Sequence, residues 1–589
     1  MDFNYTTGEH VQILLALLKA HGIRRAVVSP GSTDAELVAS MQQDPYFELY
    51  SCVDERSAAY MACGIAAETN EAVMLTCTES TASRNYFPGL TEAYHRKLPI
   101  LAVTCLHDYR LIGNLWPQVI DRSTAPRDAV KYHVDIPLIE GREDAWSVNL
   151  KLNEAILELT HHSPGPVHIN FPISPHYHLN AKTLPEARVI RRYGYRDELP
   201  MLGGGRVAVF MSVHRAWTQE ETAAIDRFCA RRNAVVFCDK TSQYHGKYAV
   251  YSAFLAHQLY SYDLFKGIET LIHIGEETAD LYTQKRVKTA KQVWRVSEDG
   301  CLRDPLRKLT AVFEMDEKFF FEHYADEGEA AAEQPDYLAD YRRAKDELLS
   351  ALPEVPFSNV YLASRFYPAL PENSVLHLGG SNTIRVWTFF EDNDSIRVSA
   401  NCGCRGIDGS LSSMLGASFV NRNALFYCVV GDLTFFYDMN SVGNRAVGNN
   451  VRIILVNNGN GNLFKHLDHP CHVMMGDEAT DRYLSAGGHF GNKSPALVKH
   501  YAEDLGFEYF SASSKEELSA VAERFLSPEL TEKPMLLEVF TTDDDESKAY
   551  AALKSIKTDP SSKAKNTVKS IAKGVLSPEM IKKVKEIIK

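Results

Sequence analysis

The chain has 589 residues, of which 45% are hydrophobic, 24% charged and 10% aromatic, and its formal net charge is −13. That composition excludes a disordered, collagen-like or small disulfide-stapled protein and leaves room for about three or four domains. The negative charge argues against a general nucleic-acid binder, whose affinity comes from neutralising phosphates with Lys and Arg.

In chain order, Thr6-Thr7-Gly8-Glu9 reads as a capping box. It opens a helix through the apolar residues 13–18, with Gly22 as the glycine that stops it. Asp2 and the lack of a basic leader segment argue against a signal peptide. No stretch has the roughly 18 apolar residues of a membrane span. Residues 25–29 (RAVVS), 72–76 (AVMLT) and 100–104 (ILAVT) read as buried parallel strands. Helical stretches over 54–68 and 81–96 alternate with them, which is a βαβ pattern. A strand over 167–171 closes this block near Pro185. A second block follows the Gly203-Gly204-Gly205 turn, with strands at 207–210, 234–237 and 271–274. The acidic, Ala-rich stretch 326–335 reads as a linker. Strands at 374–378, 426–430, 453–456 and 535–540 make a third block.

The expected architecture is three doubly wound parallel-sheet α/β domains, 1–185, 186–350 and 351–546, followed by a Lys-rich tail, 547–589. From Ser547 onward eleven lysines face three acidic residues, so the tail carries +8 and the rest of the chain −21. Ser577-Pro578-Glu579 predicts a final basic helix. That tail either folds back on the acidic body or docks on a partner, an anionic surface or a membrane. The eleven cysteines are scattered, with Cys402 and Cys404 the closest pair and no second pair at zinc-site spacing. They read as reduced thiols of a cytoplasmic protein.

The segment 429–464 carries the chemistry. A hydrophobic strand ends in Gly431-Asp432, a helical stretch follows, and a second strand ends in Asn457-Asn458-Gly459. Ligands of α/β sheets bind beyond the carboxyl ends of strands. A carboxylate and an amide oxygen at two such ends are hard ligands for Mg²⁺, which also takes phosphate oxygens. Gly431 allows close backbone approach, and the helix after it offers N–H groups to a phosphate. The pattern predicts a metal–diphosphate site. Glu55 opens a helix lined with small residues; on residue chemistry alone, its carboxylate suits the positive end of that helix.

The Gly-Asp…Asn-Asn spacing resembles the thiamine-diphosphate-dependent enzymes. The resemblance spans nearly the whole chain apart from the tail. It is nearest to the menaquinone-pathway branch, 2-succinyl-5-enolpyruvyl-6-hydroxy-3-cyclohexene-1-carboxylate (SEPHCHC) synthase. Ser29-Pro30-Gly31-Ser32, Thr81, Asn85-Tyr86-Phe87-Pro88, Gly403, Gly406-Ile407-Asp408-Gly409, Gly431-Asp432-Leu433, Tyr437-Asp438, Asn440, Asn457-Asn458 and Leu463-Phe464 carry it. It implies that Asp432, Asn458 and the Asn460 carbonyl bind Mg²⁺. Ile407 would hold the cofactor bent, and Gly431, Leu433, Leu463 and Phe464 would contact it. Glu55 would bond its aminopyrimidine ring. Gln118 and Ser32 would lie at the reacting centre, and Ser381, Arg385, Lys285, Arg286 and Leu467 would hold substrate. The implied chemistry is decarboxylation of a 2-oxoacid followed by addition to an anionic or carbonyl acceptor. The implied assembly is a homodimer or homotetramer, because the family's glutamate comes from one subunit and its diphosphate site from another.

Three arginines of that family's pattern are replaced here, by Thr33, His107 and Cys402, and its Asn before the glutamine is Pro117. Arginine recognises a carboxylate through a planar fork that none of these residues has. The sequence therefore predicts retained cofactor chemistry with an altered acceptor. Genuine SEPHCHC synthase, a simple 2-oxoacid decarboxylase and a catalytically silent scaffold are the alternatives.

Overall fold

The computed structural model describes residues 4–258, 261–327, 336–391, 393–465, 469–489, 493–554 and 556. Leu467, most of the 326–335 linker and nearly all of the basic tail, with the helix expected after Ser577, lie outside the described residues. The chain divides into two compact units, Met1–Leu199 with Asp299–Glu314, and Pro200–Glu298 with Met315–Lys589.

In the first unit, β1 (Arg25–Val28), β2 (Glu48–Ser51), β3 (Val73–Cys77), β4 (Ile100–Leu106), β5 (Tyr132–Asp135) and β6 (Val167–Pro172) form one parallel sheet. Its order is β2-β1-β3-β4-β6-β5. All residues of β3, β4 and β6 are buried, as central parallel strands covered on both faces must be. β7 (Arg191–Gly194) follows.

In the second unit, β8 (Arg206–Met211), β9 (Val235–Cys238), β10 (Ala249–Tyr251), β11 (Ile268–Ile274) and β12 (Gln292–Val296) lie in the parallel order β10-β9-β8-β11-β12. β13 (Leu309–Glu314) belongs to the first unit and pairs there with β7. The second unit continues with β14 (Val375–Leu378), β15 (Arg397–Ala400), β16 (Phe426–Gly431), β17 (Val451–Asn457), β18 (Glu508–Ala512) and β19 (Met535–Phe540). Their order is β15-β14-β16-β17-β19-β18, the same winding as the first sheet. Three parallel-sheet α/β domains are thus present.

Two local expectations are corrected. Thr6-Thr7-Gly8-Glu9 is not a capping box: the helix Glu9–Ala20 starts from Gly8 with no side-chain cap. The Thr6 hydroxyl instead donates to Glu36 (2.5 Å), a buried carboxylate that also accepts from the Ser174 amide and hydroxyl. Satisfying a buried charge outweighs one cap. The stretch 81–96 is not one helix but two, Thr81–Asn85 and Phe87–Arg96, and Pro88 sits in the first turn of the second. Proline supplies no N–H for the i→i−4 ladder there. Gly22 does end the first helix, at φ +78°.

Arg452 on β17 is fully buried without a carboxylate partner among its hydrogen bonds. It donates to the Tyr427 hydroxyl (2.9 Å) and to the carbonyls of Phe525 (2.7 Å), Ser527 (2.6 Å) and Glu529 (2.8 Å). These bonds pin the loop that leads into β19. Arg452→Met strands several buried acceptors at about 1–3 kcal/mol each. It is expected to lower unfolding stability by about 3–5 kcal/mol, read as a drop in urea midpoint. A loss under about 1 kcal/mol would show the acceptors find other donors.

Candidate functional site

A cavity of about 440 Å³ opens at the carboxyl ends of β14, β16 and β17 in the second unit. Gly431 on β16 pairs with Val456 on β17, so Asp432 and Asn458 emerge side by side just past the two strand ends. Gly431, Asp432, Leu433, Asn458, Asn460, Leu463 and Phe464 all line this cavity. So do Ile407, Ser381 and Arg385. Ten of the sequence-nominated residues therefore surround one space.

Asp432 is 5% exposed, and its Oδ1 accepts from the Leu433 amide (2.7 Å). Burial pushes its carboxyl up to about 7. The Oδ1 of Asn460, also buried, has no hydrogen-bond partner. A desolvated carboxylate, the Asn460 amide oxygen and the half-buried Asn458, whose Oδ1 accepts from the Asn460 N–H at 3.2 Å, form a hard-oxygen donor set that a divalent cation fits. Ser381 adopts φ +66°, ψ −126°, a region that non-glycine residues rarely occupy. Ser80, which follows β3 in the first unit, adopts nearly the same conformation (φ +65°, ψ −136°) at the corresponding strand-to-helix turn.

The loop after β17 is fixed from outside the strand pair. Asp543, at the start of the helix Asp543–Lys554 that follows β19, accepts from Asn460 Nδ2 (2.8 and 2.9 Å), Asn462 Nδ2 (2.8 Å) and Lys465 Nζ (2.5 Å). Lys465 reaches Asp481 as well (2.7 Å). On the same helix Glu546 lines the cavity and accepts from the Asn359 amide (2.8 Å). Burial pushes its carboxyl up to about 7. The sequence reading named neither residue. The signal was available, because both follow the carboxyl end of a strand, β19, that neighbours β17.

Arg405 was also missed. It stands three residues beyond Cys402 and lines the cavity, with its guanidinium bonded to the Thr278 carbonyl and 3.5 Å from Glu277. Cys402 is buried, and its thiol is pushed up to about 12 by burial, so it is neutral at physiological pH.

Other nominated residues lie elsewhere. Arg286 is buried, with its guanidinium spent on the carbonyls of Ala256 (2.8 Å) and Gln258 (2.5 Å), and it does not line the cavity. Lys285 is exposed and does not line it either. Ser32, Glu55 and Gln118 belong to the first unit. Ser32 is exposed beyond the end of β1. Glu55 is the first residue of the helix Glu55–Thr69, half-buried, with Asn85 Nδ2 3.4 Å from its Oε2. Gln118 is exposed at φ +68°.

Comparison with known proteins agrees with this geometry. The N-terminal TPP binding domain of thiamine pyrophosphate enzymes matches residues 9–125, and their C-terminal TPP binding domain matches residues 379–539. The 2-succinyl-5-enolpyruvyl-6-hydroxy-3-cyclohexene-1-carboxylate synthase of Bacteroides fragilis is 32% identical over 569 residues, covering 91% of this chain and 97% of its own. The enzyme of the same name from Phocaeicola vulgatus is 31% identical over 573 residues, covering 91% and 96%. The chain belongs to the thiamine pyrophosphate enzyme family. It is a thiamine-diphosphate-dependent enzyme of C–C bond formation after decarboxylation, and its likeness to SEPHCHC synthases runs over nearly its full length.

Two outcomes follow for this member of the family. Asp543→Ala frees three loop side chains at once. Thiamine diphosphate–Mg²⁺ affinity is expected to fall at least about 10-fold by calorimetry, as for other ligand-orienting partners, with unchanged far-UV circular dichroism. Unchanged affinity would mean the loop is held without Asp543. Glu546 binds its proton more tightly folded, near pH 7, than unfolded, near 4.5. Folding stability therefore falls as pH rises between those values, by up to about 3 kcal/mol. Glu546→Gln should be more stable than the wild type at pH 8 and equal to it at pH 4; equal melting temperatures at both would contradict this.

Proposed function

We propose that this enzyme decarboxylates a 2-oxoacid and transfers the remaining fragment to an acceptor other than isochorismate, using thiamine diphosphate and Mg²⁺. Bound in the cavity, thiamine diphosphate supplies the electron sink for losing CO₂. The chain supplies position and charge. Asp432, Asn458 and Asn460 would hold Mg²⁺, which would supply positive charge for the diphosphate. Ile407, on the cavity wall, would support the bound cofactor in a reactive conformation, which is catalysis by proximity. Leu433, Leu463 and Phe464 exclude water. Glu55 holds a proton at the aminopyrimidine ring. Because that glutamate and the diphosphate site come from different subunits in the family, a homodimer or a homotetramer is the working assembly. The domain boundaries near 185 and 350 and a cytoplasmic location belong to the same reading.

The substituted carboxylate pocket carries the acceptor reading. Cys402 offers a neutral thiol where the family pattern has arginine. Thr33 is buried, its hydroxyl 3.1 Å from the Cys105 carbonyl and 2.5 Å from Thr78 Oγ1. His107 is tied to the buried Glu79, which accepts from both its ring and its amide. Each replacement is thus committed to a protein partner or uncharged. Cations remain nearby in a different arrangement. Arg385 and Arg405 lie on the cavity wall, as does Ser381. This supports an anionic acceptor of another shape rather than loss of acceptor binding. Lys285 and Ser32 are exposed positions for such a group, and Gln118 sits at a strained backbone beside Pro117.

Calorimetry with thiamine diphosphate and Mg²⁺ tests the cofactor site. Asp432→Ala is expected to abolish binding. Glu55→Gln should keep it while lowering turnover about 10²–10⁴-fold, since only proton transfer is touched. Absence of binding to the wild type would sink the catalytic reading in favour of a silent scaffold. Efficient formation of the SEPHCHC product from 2-oxoglutarate and isochorismate would overturn the altered acceptor, an outcome the 31–32% identity keeps in view. Free aldehyde released without any acceptor would identify a simple decarboxylase.

A further inference from the structure

The first unit holds a second constellation of metal-ligating side chains, unrelated to the cofactor residues. The helix Arg142–Glu158 ends just before His161 and His162, and Glu314 is the last residue of β13. One ligand atom from each of His161, His162 and Glu314 lies within 4.8 Å of the others. His161 Nε2 is 2.9 Å from Glu314 Oε2, and His162 Nε2 is 3.5 Å from Glu314 Oε1. Tetrahedral bonds of about 2.0–2.2 Å separate ligand atoms by roughly 3.3–3.5 Å, so the set closes around one ion once the exposed His162 ring turns out of its stack on His161.

The surroundings hold the three groups in place. The other ring nitrogen of His161, Nδ1, is 2.9 Å from Glu158 Oε1, and Arg192 Nη2 fixes that carboxylate at 3.0 Å. A carboxylate on the far nitrogen of a ligating histidine sets its tautomer and its aim. Lys131 Nζ donates to the carbonyls of Glu158, His161 and Ser163 and so locks the loop that carries both rings. His162 is held at φ +56°, and the two rings stack with centroids 3.9 Å apart. Gly300, at φ +60°, leaves room for Glu314: a Cβ there would meet Glu314 Oε2 at 2.7 Å. His161 and Glu314 are largely covered, with side chains 13% and 19% exposed, whereas His162 is 73% exposed. The site therefore opens to water on one side.

We propose that His161, His162 and Glu314 form a Zn²⁺ site with water in the fourth position. Two imidazoles and one carboxylate suit a borderline ion such as Zn²⁺ and not Mg²⁺, which demands six oxygens. The site is thus orthogonal to the cofactor's own metal.

Titration of Zn²⁺ into the full-length protein in excess thiamine diphosphate and Mg²⁺ tests this. The wild type is expected to bind a single tight Zn²⁺ by calorimetry. His162→Ala and Glu314→Gln should each weaken it by at least about 10-fold, and Glu158→Gln by about 10–100-fold through misorientation of His161. Co²⁺ in place of Zn²⁺ should give a visible absorption band that disappears in His162→Ala, whose turnover at saturating cofactor stays that of the wild type. Absence of stoichiometric Zn²⁺ binding would overturn the proposal and leave His161 as a ring bridging two carboxylates. Equal affinity in the wild type, His162→Ala and Glu314→Gln would overturn it too, by assigning the ion to other groups.

Discussion

Every ladder among the described strands is parallel, and a parallel sheet must be covered on both faces because its connections cross over it. That constraint decides where polar chemistry appears. Along β4 and β17 every residue is buried, so a polar group in mid-strand needs a protein partner, as Glu538 on β19 has in Asn457 and Tyr509. The chain becomes free to present polar groups at the strand ends. In the second unit Ser381, Asp432, Asn458 and Asp543 all follow the carboxyl ends of neighbouring strands β14, β16, β17 and β19. The cavity is a consequence of the winding, and the residues around it are those the winding leaves exposed.

What the winding does not supply is rigidity. The loop after β17 is held by polar bonds to the C-terminal helix rather than by apolar burial. Asp543 binds three of its side chains, and Glu546 binds the amide of Asn359 on a different element. The same helix reaches the β8–β12 region, where Gln258 Nε2 donates to the Leu553 carbonyl (2.8 Å) and the Tyr550 and Tyr282 hydroxyls meet. One helix thus braces the loop after β17, the cavity wall and the short helices around Gln258 and Tyr282. A carboxyl group that accepts several bonds serves better than an apolar residue here, since hydrogen bonds fix direction as well as distance.

Much of this was legible in the sequence because the determinants are local. Runs such as RAVVS and ILAVT name buried strands, and Gly431-Asp432 with Asn457-Asn458 names two strand ends that one crossover makes neighbours. Strand limits shifted by only a few residues, as at β17, because hydrogen bonding continues past the last apolar side chain. The failures have a common cause. Thr6 looked like a helix cap, yet Glu36, thirty residues away, captures its hydroxyl. Arg286 looked like a substrate cation, yet two carbonyls near residue 257 claim its guanidinium. Asp543 and Glu546 went unnamed in the sequence, and their partners lie about eighty and one hundred and ninety residues earlier. A motif identifies a residue's chemistry, but the partner that consumes that chemistry is set by long-range packing.

The charge of the protein then has a local resolution. An enzyme at −13 overall must hold a diphosphate and an anionic substrate. The carboxylates on the cavity wall, Asp432 and Glu546, are pushed up to about 7 by burial, so each holds its negative charge less readily than an exposed carboxylate. A divalent ion placed against Asp432 would draw that carboxylate into its charged form and offset it, so the pair adds no net repulsion to a diphosphate. Arg385 and Arg405 stand on the wall in fixed positive charge. The distant acids of the surface are screened by water and salt over about 10 Å. Anion binding therefore depends on how few uncompensated charges the buried site contains, and the sign of the whole protein has little bearing on it.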